Sequence, residues 1–485
     1  MAELPVPGPE LTAADTAGEP VDQEAIGRLV PEQVLDLLRT LWSAGHSAYV
    51  VGGSLRDALL GRVASDWDLA SDALPERTVE LLPGAVYENR FGTVAVRRDG
   101  ETYEITTFRS DHDYADFRRP HRVEFGTSLE ADLARRDFTV NAMAWGAPGS
   151  EAAPESSDAP GSAGGSPEPR LIDPFGGRTD VAGRTLRAVG EPLRRFEEDA
   201  LRMVRAVRLA ATLDFEIEPA TLEGIKARAP LVAHLSGERI AAELGRLLAA
   251  PRPSVGLRLL ADTGLLGPIS PELAAQRGIA QNKVEGEDLW DHSLGTVDAA
   301  ISHPVVRLAA LVHDIGKPAT AADGHFYSHE AVGAELARAF LDRLHEPRAV
   351  TERVTHLVRN HMFGYEPSWS DTAVRRFIGK VGPDAIDELF ALREADNVGS
   401  GLPRSAGGLS ELKARVAAEL AEGPVLDRSA LAIDGDDLIA ELGLEPGPGL
   451  GRVLEALLQR VIEDKSLNTA PTLLLLARQL VADDR

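Results

Sequence analysis

The chain has no cysteine, which excludes disulfides, thiolate metal sites and cysteine nucleophiles. No run of about twenty apolar residues is present, so no membrane-spanning helix is expected. The N-terminus is rich in Pro, Ala and Glu and lacks the charged-then-apolar order of a secretory signal, so the cytoplasm is the expected location. Lysine is scarce, six of 51 basic residues, and the formal net charge is −25. Such a charge argues against a general nucleic-acid coat, because phosphate binding needs positive surface. It leaves room for a local basic groove, and arginines do cluster: Arg118, Arg119 and Arg122, then Arg135 and Arg136, then Arg202, Arg205 and Arg208.

What is present suggests about three domains in 485 residues, with 44% hydrophobic content for ordinary packed cores. The reading is an α+β head with a mixed sheet, followed by a long all-α remainder. Residues 1–30 are expected to be disordered and 31–185 to form the head, with strands at 48–51, 67–70, 92–96, 102–108 and 121–125. Within the head, residues 147–169 are Gly, Ser, Pro, Ala and Glu without an aromatic, the composition of a flexible insertion. Residues 186–280 read as a helical neck, 281–400 as a second helical domain and 401–485 as a helical tail.

The densest chemistry lies at Gly52-Gly53-Ser54-Leu55-Arg56-Asp57, followed by Asp66-Trp67-Asp68. A strand, a glycine turn and a short helix allow a phosphate to approach the backbone closely. Carboxylates at i and i+2 of a strand face one side, so Asp66 and Asp68 can share a hard metal ion. Glu104, in Tyr103-Glu104-Ile105-Thr106-Thr107-Phe108-Arg109, is the best third carboxylate, with a plain exposed strand residue as the alternative. Arg135-Arg136-Asp137-Phe138-Thr139-Val140-Asn141-Ala142 is expected to open a helix, and arginine forks suit triphosphate oxygens. Asp199, Arg202, Arg205 and Arg208 recur every three residues, which on one helix makes a polar stripe about 14 Å long. An Asp and an Arg one turn apart can offer an acceptor and donors to a base edge; ion pairs on a surface helix are the alternative.

In the helical remainder, His292, the pair His313-Asp314 at the end of an apolar run, and Asp396 form a good divalent-metal set. His329, with His356 or His361, is a candidate second set.

The motifs GGSLRD, DWD, EITTFR, RRDFTVNAMA, LIDPFGG and EEDALRMVRAVRLA together resemble the bacterial class II CCA-adding tRNA nucleotidyltransferases, which share a polymerase-β-like head with bacterial poly(A) polymerases. The likeness spans about residues 45–250, in order. It implies that Asp66 and Asp68 hold Mg²⁺, that Gly53 and Arg56 bind the triphosphate and that Arg136 contacts the nucleotide. Asp199 and Arg202 would then be an amino-acid template for CTP and ATP, supported by Arg205 and Arg208, and the tRNA 3′ end would be the acceptor. His292, His313, Asp314 and Asp396 resemble the HD phosphohydrolase superfamily, which implies a second divalent metal and either a phosphatase or 2′,3′-cyclic phosphodiesterase activity or a purely structural helical module. The alternatives are a poly(A) polymerase or a partial CC- or A-adding enzyme and, in another class, an HD hydrolase with an RNA-binding head. No membrane partner and no protein partner is inferred.

Overall fold

The computed structural model describes residues 23–64, 66–89, 92–114, 120–149, 168–281, 283–423 and 428–483. Arg118, Arg119 and residues 150–167 of the expected insertion lie outside this set. The chain divides into two compact units: residues 1–235 with 263–268, and residues 236–262 with 269–485.

The first unit opens with α1 (Gln23–Leu29) and α2 (Glu32–Ser43). Helix α1 corrects the expectation of disorder through residue 30, and the reason is Ile26, whose side chain is fully buried. Helix α2 buries Val34, Leu37, Leu38 and Leu41, the three-and-four spacing of an amphipathic helix.

There follow β1 (Ala48–Val51), α3 (Gly53–Leu59), β2 (Asp68–Ser71), α4 (Pro75–Leu81), β3 (Val86–Asn89), β4 (Thr93–Arg98) and β5 (Glu101–Thr107). After the hairpin β6 (Arg109–Tyr114) and β7 (Pro120–Phe125) come α5 (Leu129–Ala134), β8 (Ala144–Ala147), β9 (Arg170–Ile172) and α6 (Gly177–Ala182). Seven strands form one sheet in the order β3-β4-β5-β2-β1-β8-β9. Only the β2–β5 pair within it is parallel; the other pairs are antiparallel, so the sheet is mixed.

The expected helix over the RRDFTVNAMA segment is not formed. Thr139–Asn141 is a single 3₁₀ turn, and the apolar residues after it enter the sheet as β8, paired with β1 from Val51↔Ala144 to Ala48↔Ala147. Small apolar residues buried on both faces satisfy a central strand as readily as a helix.

The second unit is helical. The helix Pro304–Val312 buries every side chain from Val306 to Val312, Arg307 included, and its unbroken apolar run is Leu308–Val312. Around it lie the helices Leu289–Ala299, His329–Arg343, Arg348–Asn360 and Ile386–Gly399. The helices Gly435–Leu442, Pro448–Glu463 and Ala470–Asp483 share a core of Leu438, Leu457, Val461 and Leu473. Arg375 ties this tail to the helix Asp371–Val381: its Nε donates to the Ile462 carbonyl at 2.8 Å and its Nη1 to Glu419 at 3.2 Å.

Candidate active site and candidate metal centre

In the first unit the sheet register assembles the carboxylates. Asp68 is the first residue of β2 and pairs with Glu104 on the parallel neighbour β5. Partners across a ladder point to the same face, while Leu69 and Ile105 bury the other. Asp66 lies two residues before Asp68, ahead of the strand rather than within it, where a shared strand was expected. All three carboxylates reach solvent, and none makes a hydrogen bond or ion pair among the described residues. The surrounding protein mass pushes the Asp68 carboxyl up to about 6; Glu104 and Asp66 add to the rise and Arg136 opposes it. Asp68 and Glu104 on one face, with Asp66 near enough to act on Asp68, supply the hard oxygen donors that suit a divalent cation.

The glycine turn is spatially constrained. Gly52 has φ +81°, and a Cβ there would lie 3.2 Å from Arg136 Nη1 and 3.4 Å from Asp68 Oδ2. At Gly53 a Cβ would lie 3.2 Å from Arg56 Nη2. The turn therefore stays bare beside the Arg136 and Arg56 guanidiniums and the Asp68 carboxylate. Arg136 is held at 3.3 Å from the buried Asp132 carboxylate.

Arg56, expected on the triphosphate, has its guanidinium beside the Gly53 turn and bonded to protein groups. It is buried, with Nε and Nη2 on Asp57 at 2.9 and 2.8 Å and Nη1 on Asn141 Oδ1 at 2.6 Å. Asn141 Nδ2 in turn donates to Asp137 Oδ1 at 3.1 Å, and Arg205 Nη1 donates to Asp137 Oδ2 at 3.0 Å. Arg56 is thus a brace. The chain Arg56–Asn141–Asp137–Arg205 links α3 to helix α8 (Leu201–Leu213). Arg62 makes a second link, donating to the Thr212 and Leu213 carbonyls at the end of α8. Asp137, Asn141 and Arg62 escaped the sequence reading, because their partners are 4 to 151 residues away.

Burial resists ionisation of Asp137, but Arg205, Asn141 and Arg202 outweigh it and hold its carboxyl down at about 2. Its contribution to stability is present above the ordinary carboxylate pKa and is lost as pH falls toward 2. Asp137→Ala is expected to cost about 3 kcal/mol, the low end for breaking a buried pair because Arg205 keeps some solvent. The measurement is the urea midpoint of the first unit at pH 7, and an unchanged midpoint would contradict the link.

The expected single stripe is also corrected. Helix α7 (Pro192–Glu198) ends at Asp199, which is extended at φ −150°, ψ 105°, and α8 begins two residues later. Asp199 Oδ1 accepts from Leu201 N at 3.1 Å, so this aspartate caps α8 instead of riding on it. Arg202, Arg205 and Arg208 do share α8, whose other residues from Leu201 to Ala210 are buried. Arg202 donates to Glu198 at 2.8 Å and to the Arg135 carbonyl at 2.9 Å, joining α8 to the segment that carries Arg136.

In the second unit His292, His313, Asp314 and Asp396 converge as expected. His292 Nε2 lies 3.1 Å from His313 Nε2, 3.3 Å from Asp314 Oδ2 and 3.3 Å from Asp396 Oδ1. On the other side of Asp314, His329 Nε2 and His361 Nε2 lie 3.4 and 3.6 Å from Oδ1. His361, not His356, completes this side; His356 Nε2 instead bonds the Val381 carbonyl at 2.7 Å.

All four central imidazoles are oriented alike. Nδ1 of His292, His313, His329 and His361 meets the carbonyls of Gly399, Ala310, Phe326 and Val358 at 3.0, 2.8, 2.7 and 2.6 Å. A carbonyl only accepts, so each Nδ1 carries the proton and each neutral Nε2 turns its lone pair to the centre. Nε2 of His329 and His361 is buried with no hydrogen-bond partner. Orphaned lone pairs around a buried carboxylate fit divalent ions: His292, His313 and Asp314 would form one ligand set and Asp314, His329 and His361 another. Burial opposes ionisation of Asp314 and Asp396, but the histidines hold both well below the usual carboxylate range, with Lys283 also acting on Asp396. Burial lowers His313, while for His292 the Asp314 and Asp396 carboxylates overcome burial and raise it.

Residues 48–187 match the poly(A) polymerase head domain family, residues 214–277 the family described as the probable RNA- and SrmB-binding site of polymerase A, and residues 289–400 the HD domain family. The chain is 34% identical over 446 residues to a CCA-adding enzyme of Geobacillus kaustophilus, covering 90% of this chain and 94% of that one. A CCA-adding enzyme of Geobacillus stearothermophilus is 32% identical over 439 residues, covering 90% and 94%. The crystal structure of the Bacillus stearothermophilus CCA-adding enzyme in complex with CTP superposes with a TM-score of 0.68 at 30% identity, covering 93% of this chain and 98% of that one. The Thermotoga maritima CCA-adding enzyme complexed with tRNA shares the fold, with a TM-score of 0.57 at 20% identity, covering 95% and 99%.

Proposed function

The chain belongs to the CCA-adding enzymes, and from that premise we infer a tRNA nucleotidyltransferase that builds or repairs the 3′-terminal CCA from CTP and ATP. The single observation that carries the chemistry is the pairing of Asp68 with Glu104 beside Asp66 and the bare Gly52-Gly53 turn. The family is divalent-metal dependent, and we assign Mg²⁺ to Asp66 and Asp68. When bound, the ion offsets charge on the triphosphate and favours the ionised 3′ hydroxyl. Glu104 stands beside Asp68, placed to accept the hydroxyl proton. The tRNA 3′ oxygen bonds to the α-phosphorus of CTP or ATP, the bond to the bridging oxygen breaks, and pyrophosphate leaves. Arg136 and the Gly53 backbone hold the triphosphate.

Base choice falls to Asp199 and Arg202. Cytosine and adenine each carry an exocyclic amine beside a ring acceptor nitrogen, so one carboxylate and one guanidinium serve both and reject guanine and uracil. The bracing of α8 by Arg205–Asp137 and by Arg62 keeps this selector at a fixed place relative to the glycine turn. The cytoplasm, where tRNA is matured, is the location consistent with this role.

The second unit supports a second activity, carried by the four Nε2 lone pairs turned to Asp314. We assign it to hydrolysis of a phosphate ester. His292, His313, Asp314 and Asp396 would hold one divalent ion, and His329 and His361 would complete a site for another.

The test of the main reading is to incubate tRNA lacking CCA with Mg²⁺ and the four nucleotides and to sequence the ends. Addition that stops at CCA is expected. Long A tails, or no addition, would overturn the assignment.

A further inference from the structure

Helix α5 carries a carboxylate that almost no solvent reaches: Asp132 is 1% exposed. Its place is fixed from both sides. Ser128 Oγ caps α5 by accepting from Ala131 N at 3.2 Å, and the fully buried Leu133 packs with Tyr49, Val51 and Ala144. By register this is the sheet face of Asp68 and Glu104, because Val51 pairs with Asp68.

Arginines follow Asp132 at i+3 and i+4, within reach of one helical turn, and the carboxylate takes them unequally. Oδ1 accepts from Arg135 Nε at 3.0 Å and Nη2 at 2.7 Å, whereas Oδ2 meets Arg136 Nη2 at 3.3 Å. The Arg109 backbone N–H adds a 3.4 Å bond to Oδ1. Burial resists ionisation of Asp132, but Arg135, then Arg136, outweigh it and hold the carboxyl below its ordinary range.

Arg136 is therefore tethered without being neutralised. Its Nη1 makes a long contact, 3.5 Å, with the Asn141 carbonyl, and its Nε is buried with no hydrogen-bond partner. Its charge bears on Asp68, and both groups border the bare Gly52 turn. Arg135 spends its side chain on Asp132 and its backbone carbonyl on Arg202 Nη2 at 2.9 Å. One buried carboxylate thus joins the arginine assigned to the triphosphate to the arginine assigned to the base.

We propose that Asp132 is a positioning residue for nucleotide addition: through Arg135 it seats Arg202, and by giving Arg135 the shorter bonds it holds Arg136 in place with charge left for the triphosphate. This rests on the nucleotidyltransferase reading of the first unit. Without the Asp132 charge, Arg136 is released to pair with the Asp68 carboxylate, which takes a metal ligand and a phosphate donor out of use together.

The test measures addition to tRNA lacking CCA by the full-length protein at saturating tRNA. Asp132→Asn is expected to raise KM for CTP, and the Mg²⁺ concentration for half-maximal rate, each about tenfold, and to cut the preference for CTP over UTP about tenfold. A residue that only supports the fold would lower the melting temperature and leave all three quantities in place. Added to Arg136→Gln, Asp132→Asn should raise KM and the Mg²⁺ requirement no further while still cutting the base preference. Where Asp132→Asn does not fold, Arg135→Gln serves. It puts the whole carboxylate on Arg136, so KM for CTP should rise about threefold, while the base preference stays because the residue 135 carbonyl remains. Wild-type KM, Mg²⁺ requirement and base preference in folded Asp132→Asn, or wild-type KM in Arg135→Gln, would overturn the positioning role. The nucleotidyltransferase reading fails separately, if the wild-type protein adds nothing to this tRNA.

Discussion

Asp68→Asn is expected to lower nucleotide addition at least about 10³-fold, roughly 4 kcal/mol of barrier, with the fold intact. The substitution keeps the shape of the side chain and removes its charge from the carboxylate group formed with Asp66 and Glu104. The same carboxyl sets an acid limit. With its pKa pushed up to about 6, Asp68 is protonated below that pH and loses its claim on a cation. Addition should therefore fall on the acid side of about pH 6, and raising Mg²⁺ should move that limb lower. The sign for stability is opposite to the usual carboxylate: a raised pKa costs nothing below the unfolded value, and the cost grows as pH rises through about 6. Added Mg²⁺ should thus raise the melting temperature more at pH 7 than at pH 5. An acid limb that ignores Mg²⁺ would contradict the assignment.

Asp314→Asn is expected to abolish ester hydrolysis, at least about 10³-fold, while CCA addition stays at the wild-type rate. Asp314 touches all four histidines of the centre: His292 and His313 on Oδ2, His329 and His361 on Oδ1. Removing its charge takes away the bridge between the two ligand sets, so bound metal per chain, read by elemental analysis, should fall as well. The head's carboxylates belong to the other compact unit, which is why addition should persist. A loss of both activities together would instead point to unfolding of the second unit, and circular dichroism separates that case.

The parts of both sites that lie close in sequence were legible before the fold was known. The glycine turn, Asp66 and Asp68 span few residues and declare their chemistry by type. Glu104 needed the β2–β5 register to be placed opposite Asp68. The three-residue recurrence of Asp199, Arg202, Arg205 and Arg208 predicts one helix, yet Asp199 stands outside it. Its own capping bond to Leu201 starts a new helix, and an aspartate two residues before an apolar helical run is the signal that pointed there. The RRDFTVNAMA segment misled for a different reason: a short buried apolar run carries no periodicity that separates helix from strand. His361 was distinguished from His356 only by helix phase. The helix Arg348–Asn360 ends at the residue before His361, which lets that ring turn inward, whereas His356 caps Val381 from the helix face. The bracing network of Arg56, Asn141, Asp137 and Arg205 was invisible, since long-range polar pairing leaves no local pattern.

The central claim, that protein side chains select the base, is tested most directly by Arg202→Ala on tRNA lacking CCA, with single-turnover incorporation of each of the four nucleotides. Loss of preference for CTP and ATP over UTP and GTP, with Mg²⁺ dependence unchanged, is the predicted result. A variant that keeps the wild-type preference would contradict a template made by Asp199 and Arg202.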